Sequence, residues 1–306
     1  LVVLTFLLVA NLPASFALVA PELNQKLVIL GLGRVGNECA KAASDSFEQV
    51  VGTVRSSSGQ KDDGILRVSL DEVEEHLNDA SHVLWTIPLP KERDESLKGL
   101  IEKLESQQDK SRWTGMISTT GVYGNHDGAW VSEESPLLCT PESNAHLYVE
   151  LEQRIMKMGG RVFRSSGIYD STRSALHTVY KSGKRPPETE ITASITNRIH
   201  AYDIARAVKA SMMKDTKGEG RIYNLADDEP ASRNEVLNYA AALLESIGVT
   251  LSSEPSAEME RSPTKRERRR LSDRKLVSNE RMKAELIDYL VYPSYREGLQ
   301  AIFEDP

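Results

Sequence analysis

The feature that most restricts this chain is a short apolar run, Lys26–Leu30 (KLVIL), leading straight into Gly31-Leu32-Gly33-Arg34-Val35-Gly36. A run of this kind suits a strand buried on both faces, as in parallel sheets. Asn37–Ala43 then reads as a helix and Gln49–Val54 (QVVGTV) as a second strand. Only within strand, G-x-G-x-x-G, helix, strand does the glycine spacing predict dinucleotide binding. Gly31 permits the tight turn, Gly33 lets the backbone approach a pyrophosphate, and Gly36 lets the helix pack on the strand. The phosphates are then expected at the helix N-terminus, where free amides and the helix dipole favour negative charge. The whole loop, with Leu32, Arg34 and Val35, is the expected cofactor contact. The competing reading is a glycine-rich strand–helix turn that holds nothing.

The end of the second strand selects the cofactor. An NAD site calls for Asp or Glu about twenty residues past the motif, to bond the ribose 2′-hydroxyl. This chain has Arg55-Ser56-Ser57-Ser58 there. A guanidinium beside hydroxyl donors suits a 2′-phosphate, whereas an acidic side chain repels it. Arg55 and Ser56 therefore predict NADP(H) in preference to NAD(H), with Arg55 as an ordinary solvated charge the alternative.

Strands and helices keep alternating. Ile65–Val68 predicts a third strand, and Ser69–Leu77 a helix whose first turn is acidic. Val83–Ile87 predicts a fourth strand, stopped by Pro88-Leu89-Pro90. Glu95–Leu104 predicts a helix, Thr114–Thr119 the fifth strand and Gly160–Arg164 the sixth. This spacing implies an α/β fold with a doubly wound parallel sheet (Rossmann) and ligand at the carboxyl ends of its strands. Arg55, Ile87, Pro88 and Thr119 fall at such ends. The division expected is a dinucleotide-binding domain over 25–170 and a smaller C-terminal substrate lobe over 171–306, with segments returning to the first domain. Helices are expected over Asp203–Met213 and Ser232–Ile247.

Composition narrows the partner. The 306 residues carry a formal charge of −7, which argues against nucleic acid and leaves a small molecule. Cys39 and Cys139 stand far apart without Cys/His pairing, so neither a disulfide scaffold nor a metal site is expected. Residues 1–20 carry no charge, and Leu1–Ala10 is almost wholly apolar. Asn11, Pro13 and Ser15 interrupt the run, against a stable membrane span. The small-residue exit at Ser15-Phe16-Ala17 reads as a targeting leader, secretory or plastid-directed, ahead of a soluble mature chain. A buried N-terminal strand is the alternative.

Several blocks together resemble the extended and atypical short-chain dehydrogenase/reductases, the NAD-dependent epimerase/dehydratase family. They are Ser118-Thr119-Thr120-Gly121-Val122-Tyr123-Gly124; Glu133-Glu134-Ser135-Pro136; Arg164 with Gly167-Ile168-Tyr169; and Arg198-Ile199-His200 with Asp203-Ile204-Ala205. Tyr223-Asn224-Leu225-Ala226-Asp227 and Tyr292-Pro293-Ser294-Tyr295-Arg296 follow in the same order. The likeness runs from Lys26 to the end and is nearest the branch labelled nucleoside-diphosphate-sugar epimerases. It implies a Ser/Thr, a Tyr and a Lys four residues after that Tyr as catalytic groups. Thr119 matches the first. Counted from Tyr123 without gaps, Asn144 takes the Tyr position and Tyr148 the Lys position, with Glu152 where the family's helix carries a glutamate. Asn has no proton to give at neutral pH and Tyr no positive charge to lend, so the usual pair is absent. The family's sugar-nucleotide asparagine is here Gly167.

Thr119, Tyr123 and Tyr148 are the catalytic candidates, with His126 and His146 as nearby titratable groups. Arg261–Lys275 holds eight Lys/Arg against Glu267 and Asp273. Arg268-Arg269-Arg270 and Arg198 either approach an anionic substrate or, for the run, form a solvated loop. Three functions stay open: an NADP(H)-dependent oxidoreductase or epimerase-like enzyme acting on a small carbonyl or hydroxyl compound, a non-catalytic NADP(H)-binding sensor, and an assembly scaffold.

Overall fold

The computed structural model describes residues 25–55, 63–89, 95–107, 112–186, 195–214, 218–252 and 274–305. The proposed leader, Ser56 and the arginines at 268–270 lie outside them.

Seven parallel strands form the central sheet: β1 (Lys26–Leu30), β2 (Gln49–Thr53), β3 (Ile65–Val68), β4 (His82–Trp85), β5 (Trp113–Thr119), β6 (Arg161–Ser165) and β7 (Arg221–Leu225). Their spatial order is β3-β2-β1-β4-β5-β6-β7. This is the doubly wound order, reversing direction between β1 and β4, where such sheets bind ligands.

The alternation along β1 explains why it is apolar throughout. Leu27 and Ile29 enter the core beneath α1 (Arg34–Ala43), with Ala40, Val50 and Leu84. Val28 and Leu30 enter the opposite core, with Val83, Trp85, Leu100 and Leu151. That second face is covered by α2 (Val73–Leu77), α3 (Glu95–Ser106) and α4 (Asn144–Lys157). A strand walled on both sides has no polar face to show.

Beyond Asp170, α5 (Ala175–Ser182) and α7 (Arg233–Ser246) pack with the terminal helix Tyr295–Glu304 around Leu176, Val236, Ala240, Leu244 and Leu299. Between them the chain re-enters the larger unit: α6 (Ala201–Met212) packs on α1, and β7 closes the sheet edge. Asp203 of α6 is fully buried, and its carboxylate accepts the Val291 and Tyr292 amides at 2.9 Å each. That pair of bonds anchors the approach to the terminal helix. Among the described residues, no helix is long and apolar enough to cross a membrane.

Several boundaries differ from the expectations. Helix α1 begins at Arg34 rather than Asn37, because Gly33 already serves as its extended N-cap residue. Strand β4 ends at Trp85, where Thr86 turns its hydroxyl onto the Leu30 and Gly31 carbonyls. Only Val73–Leu77 of the expected Ser69–Leu77 helix forms, since Ser69 and Glu72 close a reciprocal turn ahead of it. Strand β6 sits one residue later than Gly160–Arg164.

Candidate dinucleotide site

The turn after β1 is tied to the end of β2. Gly31 has φ +106°, a conformation that disfavours any side chain, and its amide donates to the Thr53 hydroxyl at 2.8 Å. The Leu32 amide donates to the Thr53 carbonyl at 2.8 Å. A Cβ on Gly31 would lie 2.9 Å from Ile87 Cγ1, and one on Gly36 only 2.0 Å from the Gly31 carbonyl oxygen. Gly33 is different: a Cβ there would meet nothing within 4 Å. No side chain caps α1, and its first turn holds no acidic residue. The leading amides of the helix therefore begin at an open, backbone-only surface, which suits a phosphate. Asn37 stiffens this surface by donating to the Leu32 and Gly33 carbonyls at 2.8 and 3.0 Å.

A cleft of about 910 Å³ opens beside the loop, lined by Leu32, Gly33, Arg34, Arg67, Asp170 and His200 among others. Arg34 reaches across it to Asp170 at 3.1 Å. Burial pushes the Asp170 carboxyl up, but hydrogen bonds from Thr172 and Arg173 and the Arg34 charge outweigh it and hold it low. Arg67 pairs with Asp63 at 2.6 Å. His200 caps α6 by accepting the Tyr202 amide, and burial lowers its pKa, which favours the neutral ring.

Ile87 is half-buried and Pro88 exposed, just past β4. The Trp85 indole donates to the Ile87 carbonyl at 2.9 Å and fixes their course. Arg55 is exposed just past β2, with no partner among the described residues. Thr119, half-buried at the end of β5, caps the following 3-10 turn by accepting the Gly121 amide at 3.1 Å. Tyr148, half-buried on α4, accepts the Leu89 amide at 3.3 Å. This brings α4 against the loop after β4. Asn144 is exposed at the start of α4, behind its Ser143 cap.

Tyr123 does not join this group. It is fully buried; its hydroxyl donates to Asn224 at 2.7 Å and receives Arg164 at 2.9 Å. Burial raises its pKa, so the phenol stays neutral inside the protein. Arg164 completes the cluster on Glu152 at 2.7 Å, both side chains almost inaccessible, and Ser118 donates to the same carboxylate. The hydroxyl of Tyr123, one of the catalytic candidates, is thus engaged by Asn224 and Arg164 inside the protein rather than open to the cleft. Arg198 also turns inward, donating to the Thr196 and Ala231 carbonyls. His126 contacts the Pro136 carbonyl and stands edge-on to Tyr123.

Sequence reasoning missed Thr53, Thr86, Asn37, Asp170 and Arg67. The first two were findable, because Thr53 ends β2 and Thr86 directly follows β4, the strands on either side of β1.

Strand order, glycine turn and cleft together define a Rossmann α/β fold of the kind that binds dinucleotides. No family model matches the sequence, and no curated protein matches it. Solved structures do. A protein of Silicibacter pomeroyi, described as functionally unknown, is 30% identical over 92% of this chain and 99% of its own, with a TM-score of 0.78. The UDP-glucuronic acid 4-epimerase of Bacillus cereus, in complex with NAD, is 15% identical over 92% and 98%, with a TM-score of 0.68. The human epimerase family protein SDR39U1, with NADPH, is 14% identical over 92% and 100%, with a TM-score of 0.63. The chain belongs to one family with the Silicibacter protein, and it shares its fold with the epimerase structures.

Proposed function

We propose that the chain binds a nicotinamide dinucleotide, NADP(H) in preference to NAD(H), and acts as an oxidoreductase or epimerase-like enzyme on a small carbonyl or hydroxyl compound. The observation that carries this reading is the open Gly33 at the uncapped start of α1, at the strand-order reversal. The amides from Gly33 to Gly36 would hold the pyrophosphate, with Leu32, Arg34 and Val35 shaping the turn. Arg55, with Ser56, would meet the adenosine end, and Ile87 and Pro88 would flank the coenzyme beyond β4. The coenzyme, when bound, supplies hydride chemistry at its nicotinamide. The NADPH of the human epimerase family protein supports the NADP(H) preference by analogy.

Tyr148 and Thr119 are the candidate catalytic side chains. The Tyr148 hydroxyl accepts from Leu89, and its proton goes to no group among the described residues, so it is available to a substrate oxygen. The residue four beyond it is Glu152, buried on Arg164, rather than a lysine. A second reading, a non-catalytic NADP(H) sensor, is favoured by the exposed Asn144 where the family places its tyrosine.

Two measurements test these readings. NADPH should raise the melting temperature more than NADH; at a hundred times Kd the gain is about 2.7 kcal/mol. Equal responses defeat the Arg55 argument. Hydride exchange across aldehydes, ketones and sugar nucleotides separates enzyme from sensor, and silence with intact binding selects the sensor.

A further inference from the structure

The glycine loop meets the smaller lobe through Arg34 and Asp170, and the two side chains are held very differently. The Asp170 carboxylate divides its oxygens between two tasks. Oδ1 accepts the Thr172 amide at 2.8 Å, the Thr172 hydroxyl at 2.6 Å and the Arg173 amide at 2.9 Å, which closes the turn after Tyr169. Oδ2 takes Arg34 Nη1 at 3.1 Å. With this side chain only 11% exposed, the lobe fixes the carboxylate whether or not the arginine is there.

Arg34 is held by one nitrogen alone. The rest of its guanidinium donates to no group among the described residues, and a third of the side chain stays open in the cleft that Gly33 also lines. Arg34 is the first residue of α1, beside the uncapped amides. The other cations lining the cleft are placed otherwise. Arg67 closes on Asp63 with both terminal nitrogens, at 2.9 and 2.6 Å, and Lys41 lies on Glu38 in the last turn of α1.

We propose, on the coenzyme reading above, that Asp170 is a positioning residue for coenzyme binding: it holds Arg34 so that the unused N–H groups of the guanidinium donate to a pyrophosphate oxygen. Guanidinium N–H groups suit phosphate in charge and geometry. A free arginine loses its rotamer freedom on meeting the phosphate, whereas one tethered to a fixed carboxylate has already lost most of it. Oδ1 is saturated with donors and Oδ2 faces the guanidinium, so the acid presents little free charge to the ligand. Because NADPH and NADH share the pyrophosphate, Arg34 and Asp170 act on both alike, while Arg55 acts on the 2′-phosphate alone.

The test is calorimetric titration of the full chain with NADPH and with NADH. Arg34→Gln should weaken both about tenfold or more, the loss of one charge-assisted bond, and Arg34→Lys should recover part of that loss. Asp170→Asn keeps an oxygen for the Thr172 and Arg173 donors but removes the counter-charge of Arg34. It should weaken both coenzymes several-fold, with a melting transition showing the chain still folded. The double variant should bind no worse than Arg34→Gln, because Asp170 acts through the arginine. Wild-type affinity in Arg34→Gln overturns the proposal, as does equal or tighter binding in Asp170→Asn. So do losses that add in the double variant, or losses confined to NADPH. A wild type that binds neither coenzyme overturns the coenzyme reading and this role together.

Discussion

The guanidinium of Arg34 stands 3.1 Å from the carboxylate of Asp170, joining the glycine loop to the first turn of the smaller lobe across 136 residues of sequence. The same carboxylate accepts the Thr172 and Arg173 amides at 2.8 and 2.9 Å. One side chain thus organises the lobe's entry and restrains a member of the coenzyme motif. Asp170→Ala should remove roughly 1–3 kcal/mol of stability, read by urea denaturation, by leaving those donors unmatched. An unchanged midpoint would show that the turn holds without it.

The buried Arg164–Glu152 pair makes a sharper prediction. Glu152→Gln leaves a buried guanidinium without its counter-charge and should cost about 3–5 kcal/mol. Tyr123→Phe in the same cluster loses only hydrogen bonds, about 1–2 kcal/mol, and should leave NADPH affinity unchanged. A large loss of affinity in Tyr123→Phe would return that tyrosine to the site.

Two buried groups give opposite pH dependences. His82, packed edge-on to Phe47, is pushed down by burial from 6.5 to about 4. The unfolded chain then holds the extra proton between those values, so its contribution is present above 6.5 and fades as pH falls to 4, by roughly 3 kcal/mol. Asp227 is raised from 3.8 to about 8, so the native state holds the proton there and its contribution fades as pH rises through that window. Single variants resolve the two. Relative to wild type, His82→Phe should gain stability on going from pH 7 to 5, and Asp227→Asn on going from pH 5 to 8. Parallel profiles in denaturant would refute both assignments.

Cys39 lies inside α1 with its thiol pushed up to about 12 by burial. The native protein should therefore resist alkylation at Cys39 by iodoacetamide at neutral pH, checked by mass spectrometry after digestion. Rapid labelling there would mean that α1 opens readily.

Much of this was legible because it is local. The strand–glycine–helix signal spans Lys26–Ala43, and the alternation of β1 between two cores made it apolar throughout. The doubly wound order followed from the spacing of strands and helices. What stayed hidden depends on distant partners. Tyr123 is a catalytic candidate by its motif, yet its hydroxyl donates to Asn224, 101 residues on. Asp170 and Arg67 carry no motif; only the folded chain puts them beside Gly33. The misplaced end of β4 had a local cause, the Thr86 hydroxyl, that alternation does not register.

The central claim is most directly tested at Gly33, whose missing side chain has room to exist. Gly33→Val should leave the free protein folded with a melting temperature only modestly lowered, because a Cβ there meets no atom within 4 Å while valine caps the helix less well than glycine. Calorimetric titration with NADPH should show saturable binding to the wild type and none to the variant. NADPH binding that persists in Gly33→Val, or a wild type that takes up no NADPH at millimolar concentration, would contradict a coenzyme seated on this loop.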